Sequence, residues 1–243
     1  MDTIKIDKKN TKTVAHRGLS GLELMNTCAA FVAAGNRDYF GIETDVHLTS
    51  DGKYVVYHDG HTGNLAGGKM VLEETDFETL RGLQLHDKNG NKRIDMKIPS
   101  LEEYIDICAK YEKRPVLELK NRFPKRAIKK MLKVIAEHID MSRMVFISFD
   151  YQNMVNLRQL LPDAELQFLW YGGKSGPISE KLVKMLKDYN LDLDTHEKDL
   201  TKENLDMLHE NGIKVNAWTV DDPVRAQQLC DWGIDFITTN IIQ

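Results

Sequence analysis

Three acidic residues, two histidines and two basic residues in this 243-residue sequence have the types and spacing for chemistry at phosphorus. Glu43 and Asp45 lie two apart in one apolar stretch, and Glu118 and Lys120 repeat that spacing in another. In a strand, residues two apart share a face. His16-Arg17 ends a third such stretch, and His58-Asp59 follows a hairpin. Three carboxylates brought together raise one another's pKa unless a cation sits among them. An all-oxygen set favours one hard divalent ion, Mg²⁺ or Ca²⁺, over zinc, with water and substrate oxygens completing its shell. Two histidines beside such an ion suit phosphodiester cleavage, which needs a base for the attacking oxygen and an acid for the departing alkoxide. Arg17 and Lys120 carry positive charge for the non-bridging phosphate oxygens. Trp218, at the end of a further apolar stretch, is expected to wall the substrate pocket.

Residues this far apart in sequence need a scaffold that gathers strand ends. Eight short β-branched or apolar runs cover residues 13–15, 40–46, 115–119, 144–148, 165–170, 191–194, 213–218 and 235–238. Helix-period segments lie between them at 26–34, 101–111, 124–139, 151–161, 179–189, 200–211 and 223–232. Gly35, Gly212 and Gly233 sit just past helix ends, and Pro124 and Pro223 near starts. Repeated β-then-α units imply parallel strands, and eight of them a closed TIM (β/α)8 barrel with its active site at the C-terminal strand ends. Too few residues follow the last strand for an eighth helix. After the second strand, Asp51-Gly52 signals a hairpin to a short strand at 53–57. A Gly-, Asn- and Asp-rich stretch from about 60 to 98, with a helical piece at 73–83, reads as a small insertion at the C-terminal face. Residues 1–243 are thus expected to form a single catalytic domain.

Thirty-three basic against thirty-seven acidic residues leave a net charge of −4, so nothing favours a nucleic-acid partner. The longest apolar stretch, residues 28–34, is far shorter than the roughly 20 residues of a membrane helix, and membrane insertion is not expected. The N-terminal residues lack the apolar centre of a signal peptide, and Cys28, Cys108 and Cys230 form no CxxC. A cytoplasmic protein without disulfides is the expectation. Oligomeric state is left open.

In order along the chain stand His16-Arg17-Gly18, Glu43-x-Asp45-Val46, Thr49-x-Asp51-Gly52, His58-Asp59, residues 98–103 (IPSLEE), Glu118-x-Lys120, Ser148-Phe149-Asp150, Trp218-Thr219-Val220 and residues 233–240 (GIDFITTN). These ordered motifs resemble the glycerophosphodiester phosphodiesterase family. The resemblance spans nearly the whole chain. It implies metal-dependent hydrolysis of glycerophosphodiesters, such as glycerophosphocholine and glycerophosphoethanolamine, to sn-glycerol 3-phosphate and an alcohol. It also implies His16 and His58 as the acid–base pair, Glu43, Asp45 and Glu118 on the metal, and Arg17 and Lys120 on phosphate. The chain departs from the family pattern at Leu24-Met25, where Pro-Glu is usual, and at Asn64, where a basic residue often stands.

Other readings stand beside these. His16 and His58 could instead ligate zinc or iron next to a carboxylate. Asp59 could orient His58 or cap the following turn, and Lys120 could pair structurally with Glu118. Gly172-Gly173-Lys174-Ser175 lacks the leading glycine of a phosphate loop, since Phe168 occupies that place, and is expected as a mobile loop over the barrel mouth. The basic segment around Lys125, Arg126, Lys129, Lys130 and Lys133 reads as a solvated face. His196 could line the mouth, while His47, His61, His86, His138 and His209 are assigned nothing. His16 is taken as base and His58 as acid, although the residues fit either order, and either water or a substrate hydroxyl as attacking oxygen. Two rival functions remain: a lysophospholipase D or phospholipase-like lyase on lipid diesters, and a non-catalytic barrel that binds phosphodiesters.

Overall fold

The computed structural model describes residues 2–63 and 68–243, and Asn64 lies outside them. Among the described residues the strands are β1 (Lys12–Ala15), β2 (Gly41–Leu48), β3 (Tyr54–Val56), β4 (Arg114–Leu119), β5 (Val145–Ser148), β6 (Glu165–Trp170), β7 (Asp192–His196), β8 (Val215–Trp218) and β9 (Phe236–Thr239). The helices are α1 (Cys28–Gly35), α2 (Phe77–Arg81), α3 (Leu101–Lys110), α4 (Lys125–His138), α5 (Tyr151–Leu160), α6 (Gly172–Ser175), α7 (Glu180–Asp188), α8 (Lys202–Glu210) and α9 (Pro223–Trp232). The sheet runs β1-β9-β8-β7-β6-β5-β4-β2, and β1 pairs with β2 to close the ring. All of these pairings are parallel, which makes the ring the expected TIM barrel. β3 lies outside it, antiparallel to the end of β2 with Val46 opposite Val56.

Alternation along each strand builds two cores. Outward residues such as Ile42, Leu117, Phe146, Leu193 and Ile237 pack against the helices in one continuous cluster. Inward, Val14, Val116, Val145, Ile147 and Leu169 form a small apolar plug inside the ring. Burying each of these aliphatic side chains contributes about 1.5–3 kcal/mol. Local signals set the helix ends. Ser100 and Glu103 form a capping box at α3, and Gly233 closes α9 with a left-handed φ of 85°.

The segment after β3 has its own apolar cluster, in which Val55, Tyr57, Leu72, Leu80, Leu85, Met96 and Ile98 pack with Leu24. Leu24 thus ties the α1 entry to this segment. Arg93 pairs with Glu23 at 3.0 Å and Lys88 donates to the Ser20 carbonyl at 2.7 Å. The expected helix at 73–83 is broken. A 3₁₀ turn at Leu72–Glu74 is followed by α2, because Asp76 leaves the helical conformation to accept the Thr79 N–H. Gly35 is not past its helix but is the last residue of α1, capped by Asn36. A Cβ there would come within 2.5 Å of the Tyr111 ring. Residues 172–175, expected as a loop, form the single turn α6, and Asp199 accepts the Gly172 N–H at 2.6 Å. Among the described residues no helix is long and apolar enough to cross a membrane.

Candidate active site

At the C-terminal ends of the strands the inward positions change from aliphatic to ionisable. On β1, Val14 gives way to His16, and on β4, Val116 gives way to Glu118 and then Lys120 just past the strand. Glu43 and Asp45 occupy the same face of β2. The barrel therefore gathers the three carboxylates, with ligand oxygens of Glu43, Asp45 and Glu118 all within 4.8 Å of one another.

These carboxylates are buried and incompletely satisfied. Glu43 accepts the Arg17 backbone N–H at 2.7 Å. Asp45 accepts the Asn26 side-chain amide at 2.8 Å, and Asn26 in turn accepts the Thr44 hydroxyl at 2.7 Å. The Lys120 ammonium lies 3.1 Å from Asp45 and 3.0 Å from Glu118, and Arg17 Nε lies 3.4 Å from Asp45. Proximity is not alignment, and Asp45 Oδ1 and Glu118 Oε1 keep no hydrogen-bond partner. Burial, then the Asp45 charge, pushes Glu118 up to about 8 and Glu43 well above its usual range. For Asp45 burial acts the same way, but Lys120 and Arg17 outweigh it and hold that carboxyl below its usual range. Three crowded, buried carboxylates, two of them pushed up by burial and by the Asp45 charge, fit a hard divalent cation, and these three residues are the ones that could hold it.

Arg17 is positioned by its backbone. It adopts a left-handed φ of 54°, which costs a non-glycine residue about 1–2 kcal/mol, and Gly18 follows at 76°. A side chain at Gly18 would meet Ala30 of α1 at 2.7 Å. The turn is held through the Arg17 N–H on Glu43 and through its carbonyl, which accepts the Asn26 N–H at 2.9 Å.

Both histidines are held through Nδ1. His16 Nδ1 lies 2.8 Å from Asn240 Oδ1. Asn240 donates its amide to Asp221 at 2.5 Å, and its Oδ1 also accepts the Ser20 hydroxyl at 2.6 Å. With the amide so oriented, His16 must donate from Nδ1, which leaves Nε2 as its lone-pair nitrogen when neutral. Burial, then Arg17, lowers His16 to about 4. His58 Nδ1 lies 2.7 Å from Asp59 Oδ1, so Asp59 orients His58. Burial lowers His58 as well, against the opposing pull of Asp45. Because Asn240 fixes the His16 tautomer, Asn240→Leu should lower kcat roughly 10- to 100-fold with little change in KM. Steady-state kinetics check this, and an unchanged kcat would count against the orientation.

A cavity of about 180 Å³ opens here, and His16, Arg17, Glu43, His58, Glu118, Lys120 and Trp218 all line it. Asp45 is fully buried within the carboxylate cluster beside it. Its apolar wall is Ile147, Phe149, Leu169 and Trp218, and Phe149 meets Trp218 edge-on at 5.7 Å. A second cavity of about 280 Å³ shares Arg17 and His58 with the first and is lined also by Met25, Tyr57, His61 and Leu85. His196 packs on Trp218 at 5.2 Å. The buried His47, given no part from sequence, lies 3.4 Å from the His58 carbonyl. Asn26, Phe149, Asp194, Asp221 and Asn240 complete the neighbourhood and were assigned no role from sequence. Phe149 and Asn240 stand in quoted motifs, and Asp194 shares the inward face of β7 with Asp192 and His196, a polar alternation that could have flagged it.

Known proteins resemble this chain over nearly its whole length. The glycerophosphoryl diester phosphodiesterase family matches residues 16–243. This chain belongs to that family. A curated glycerophosphodiester phosphodiesterase from Caldanaerobacter subterraneus is 28% identical over 95% of this chain and 94% of its own length. The solved glycerophosphodiester phosphodiesterase from Parabacteroides distasonis is 29% identical, with a TM-score of 0.77 over 95% of this chain and 93% of that one. An Oleispira antarctica phosphodiesterase, solved with its product sn-glycerol-3-phosphate, shares the fold at a TM-score of 0.85 and 24% identity, covering 97% of this chain and 95% of that one. Leu24 is buried beneath the segment after β3, and Met25 Sδ lies 3.3 Å from Arg17 Nη1 on the wall of the second cavity.

Proposed function

We propose that this chain is a metal-dependent phosphodiesterase that hydrolyses glycerophosphodiesters, such as glycerophosphocholine or glycerophosphoethanolamine, to sn-glycerol 3-phosphate and an alcohol. The observation that carries the reading is two imidazoles, each tied at Nδ1, lining one cavity with a buried carboxylate trio. The activity named for relatives at 28% and 29% identity supports it. So does the meeting of two cavities at Arg17 and His58, which gives the two arms of a diester one pocket each.

In this reading His16, neutral and donating Nδ1–H to Asn240, takes the proton from the attacking oxygen at Nε2. His58 enters as the imidazolium, with Asp59 on its Nδ1–H. It gives its Nε2 proton to the alcohol oxygen as the P–O bond breaks. A bound phosphodiester anion next to His58 favours that charged ring. Arg17 and Lys120 face the non-bridging oxygens and stabilise the charge that grows there. Glu43, Asp45 and Glu118 would hold one divalent ion, Mg²⁺ or Ca²⁺, whose charge adds to that stabilisation.

The test is release of sn-glycerol 3-phosphate from a panel of glycerophosphodiesters, with and without chelator. Release that stops on chelation and returns with Mg²⁺ or Ca²⁺ is expected. Faster turnover of a lysophospholipid than of any water-soluble diester would favour the lipid reading. Metal-dependent binding without product would leave a non-catalytic barrel.

A further inference from the structure

One buried side chain at the site is used by none of these steps. Asp194, on the inward face of β7, is 2% exposed and lines the same cavity as His16, Glu118 and Trp218. Its Oδ1 has no hydrogen-bond partner. The amides and hydroxyl on the same ring of inward positions satisfy one another instead. Asn216, its register neighbour on β8, donates to Gln167 at 3.2 Å and accepts the Thr238 hydroxyl at 3.1 Å. Leu169, its neighbour on β6, offers nothing polar from its side chain. Burying a carboxyl without partners is costly, and such groups persist where a ligand supplies the missing bond. The cavity it faces pairs an apolar wall with phosphate-directed charge, the surroundings a short polyol phosphate requires.

We propose that Asp194 accepts a hydrogen bond from a hydroxyl of the substrate's glycerol unit, and so selects glycerol-bearing diesters over diesters without hydroxyls. This rests on the phosphodiesterase reading above. Asp194 is then a specificity residue: it touches the part of the substrate that carries no reacting bond. The aliphatic face of the glycerol unit lies against Phe149 and Trp218, and the alcohol leaves on the side of the second cavity.

The experiment compares wild type, Asp194→Ala and Asp194→Asn on glycerophosphocholine and on bis(4-nitrophenyl) phosphate, which has no hydroxyl. For Asp194→Ala, kcat/KM on glycerophosphocholine should fall about 10- to 100-fold, carried mainly by KM, with the loss confined to that substrate. Asp194→Asn, which keeps an acceptor oxygen, should recover most of it. The thermal midpoint of Asp194→Ala should equal or exceed that of wild type, since an unpartnered buried carboxyl has been removed. Equal losses on both substrates, no loss on either, or a lowered midpoint would overturn the assignment. If wild type releases no glycerol 3-phosphate, the phosphodiesterase reading itself fails. If it does and the variants match it, only the role of Asp194 fails.

Discussion

His16→Ala is expected to lower kcat on every phosphodiester tested by about 10²- to 10⁴-fold, the contribution of a positioned acid–base group. The reason is geometric. Asn240, held by Asp221 and Ser20, keeps the His16 Nδ1 proton in place and leaves a single free nitrogen for the attacking oxygen. No neighbouring side chain substitutes for it, because Lys120 is held protonated by Asp45 and Glu118 and the carboxylates are committed to the cluster. His58→Ala should behave differently. A leaving group as acidic as 4-nitrophenol departs without a proton, so this variant should lose far less activity on a nitrophenyl diester than on glycerophosphocholine. Reversal of that pattern between the two variants would exchange the roles of base and acid. Equal losses on both substrates for both variants would mean that neither imidazole handles the leaving group.

Glu43→Gln should lower kcat/KM by about a hundredfold to a thousandfold, the order expected from several kcal/mol of lost charge stabilisation. The amide oxygen can still accept the Arg17 N–H, so the turn that presents Arg17 is retained. The loss therefore falls on the cation. A readout independent of turnover follows from the carboxyl proton affinities. In the folded chain Glu118 is raised from 4.5 to about 8, while the unfolded chain ionises near the ordinary value. As pH rises through that window, the unfolded state loses its proton first and the metal-free folded state loses relative stability, with the full deficit present above the folded value. A divalent cation displaces that proton, so its stabilisation must grow over the same window. The thermal midpoint should rise more on adding Mg²⁺ or Ca²⁺ at pH 8 than at pH 5 in wild type, and less at both in Glu43→Gln. A midpoint indifferent to divalent ions at pH 8 would count against the carboxylate trio as their site.

Much of this architecture was legible along the chain. The period-2 alternation within each run specifies which residues face the ring interior, because burial on both faces of a parallel strand acts on each strand separately. Glu43 with Asp45, and Glu118 with Lys120, could be placed on shared faces for that reason. Eight such runs separated by helix-period segments leave a closed barrel as the arrangement that pairs every strand. Local chemistry also misled where two signals competed. The apolar spacing from Glu73 to Leu83 favours one helix, but the Asp76 side chain binds the Thr79 N–H and divides it. The glycine at 35 does mark the helix end, but as its last residue, and its smallness is required by the Tyr111 ring.

By itself, then, the sequence determined the strands, the direction in which each ionisable side chain points, and the gathering of three carboxylates and two histidines at one end of the barrel. The tertiary structure alone decided which partners stand behind those groups. Asn240 reaches His16 across 224 positions of chain because β9 pairs with β1 at the seam of the ring. Phe149 meets Trp218, and Asp194 reaches the cavity without a partner, through register carried around the ring from strand to strand. Alternation is a property of one strand and its two faces. Ring closure sets which residue of one strand stands level with which of another, and no local pattern encodes it.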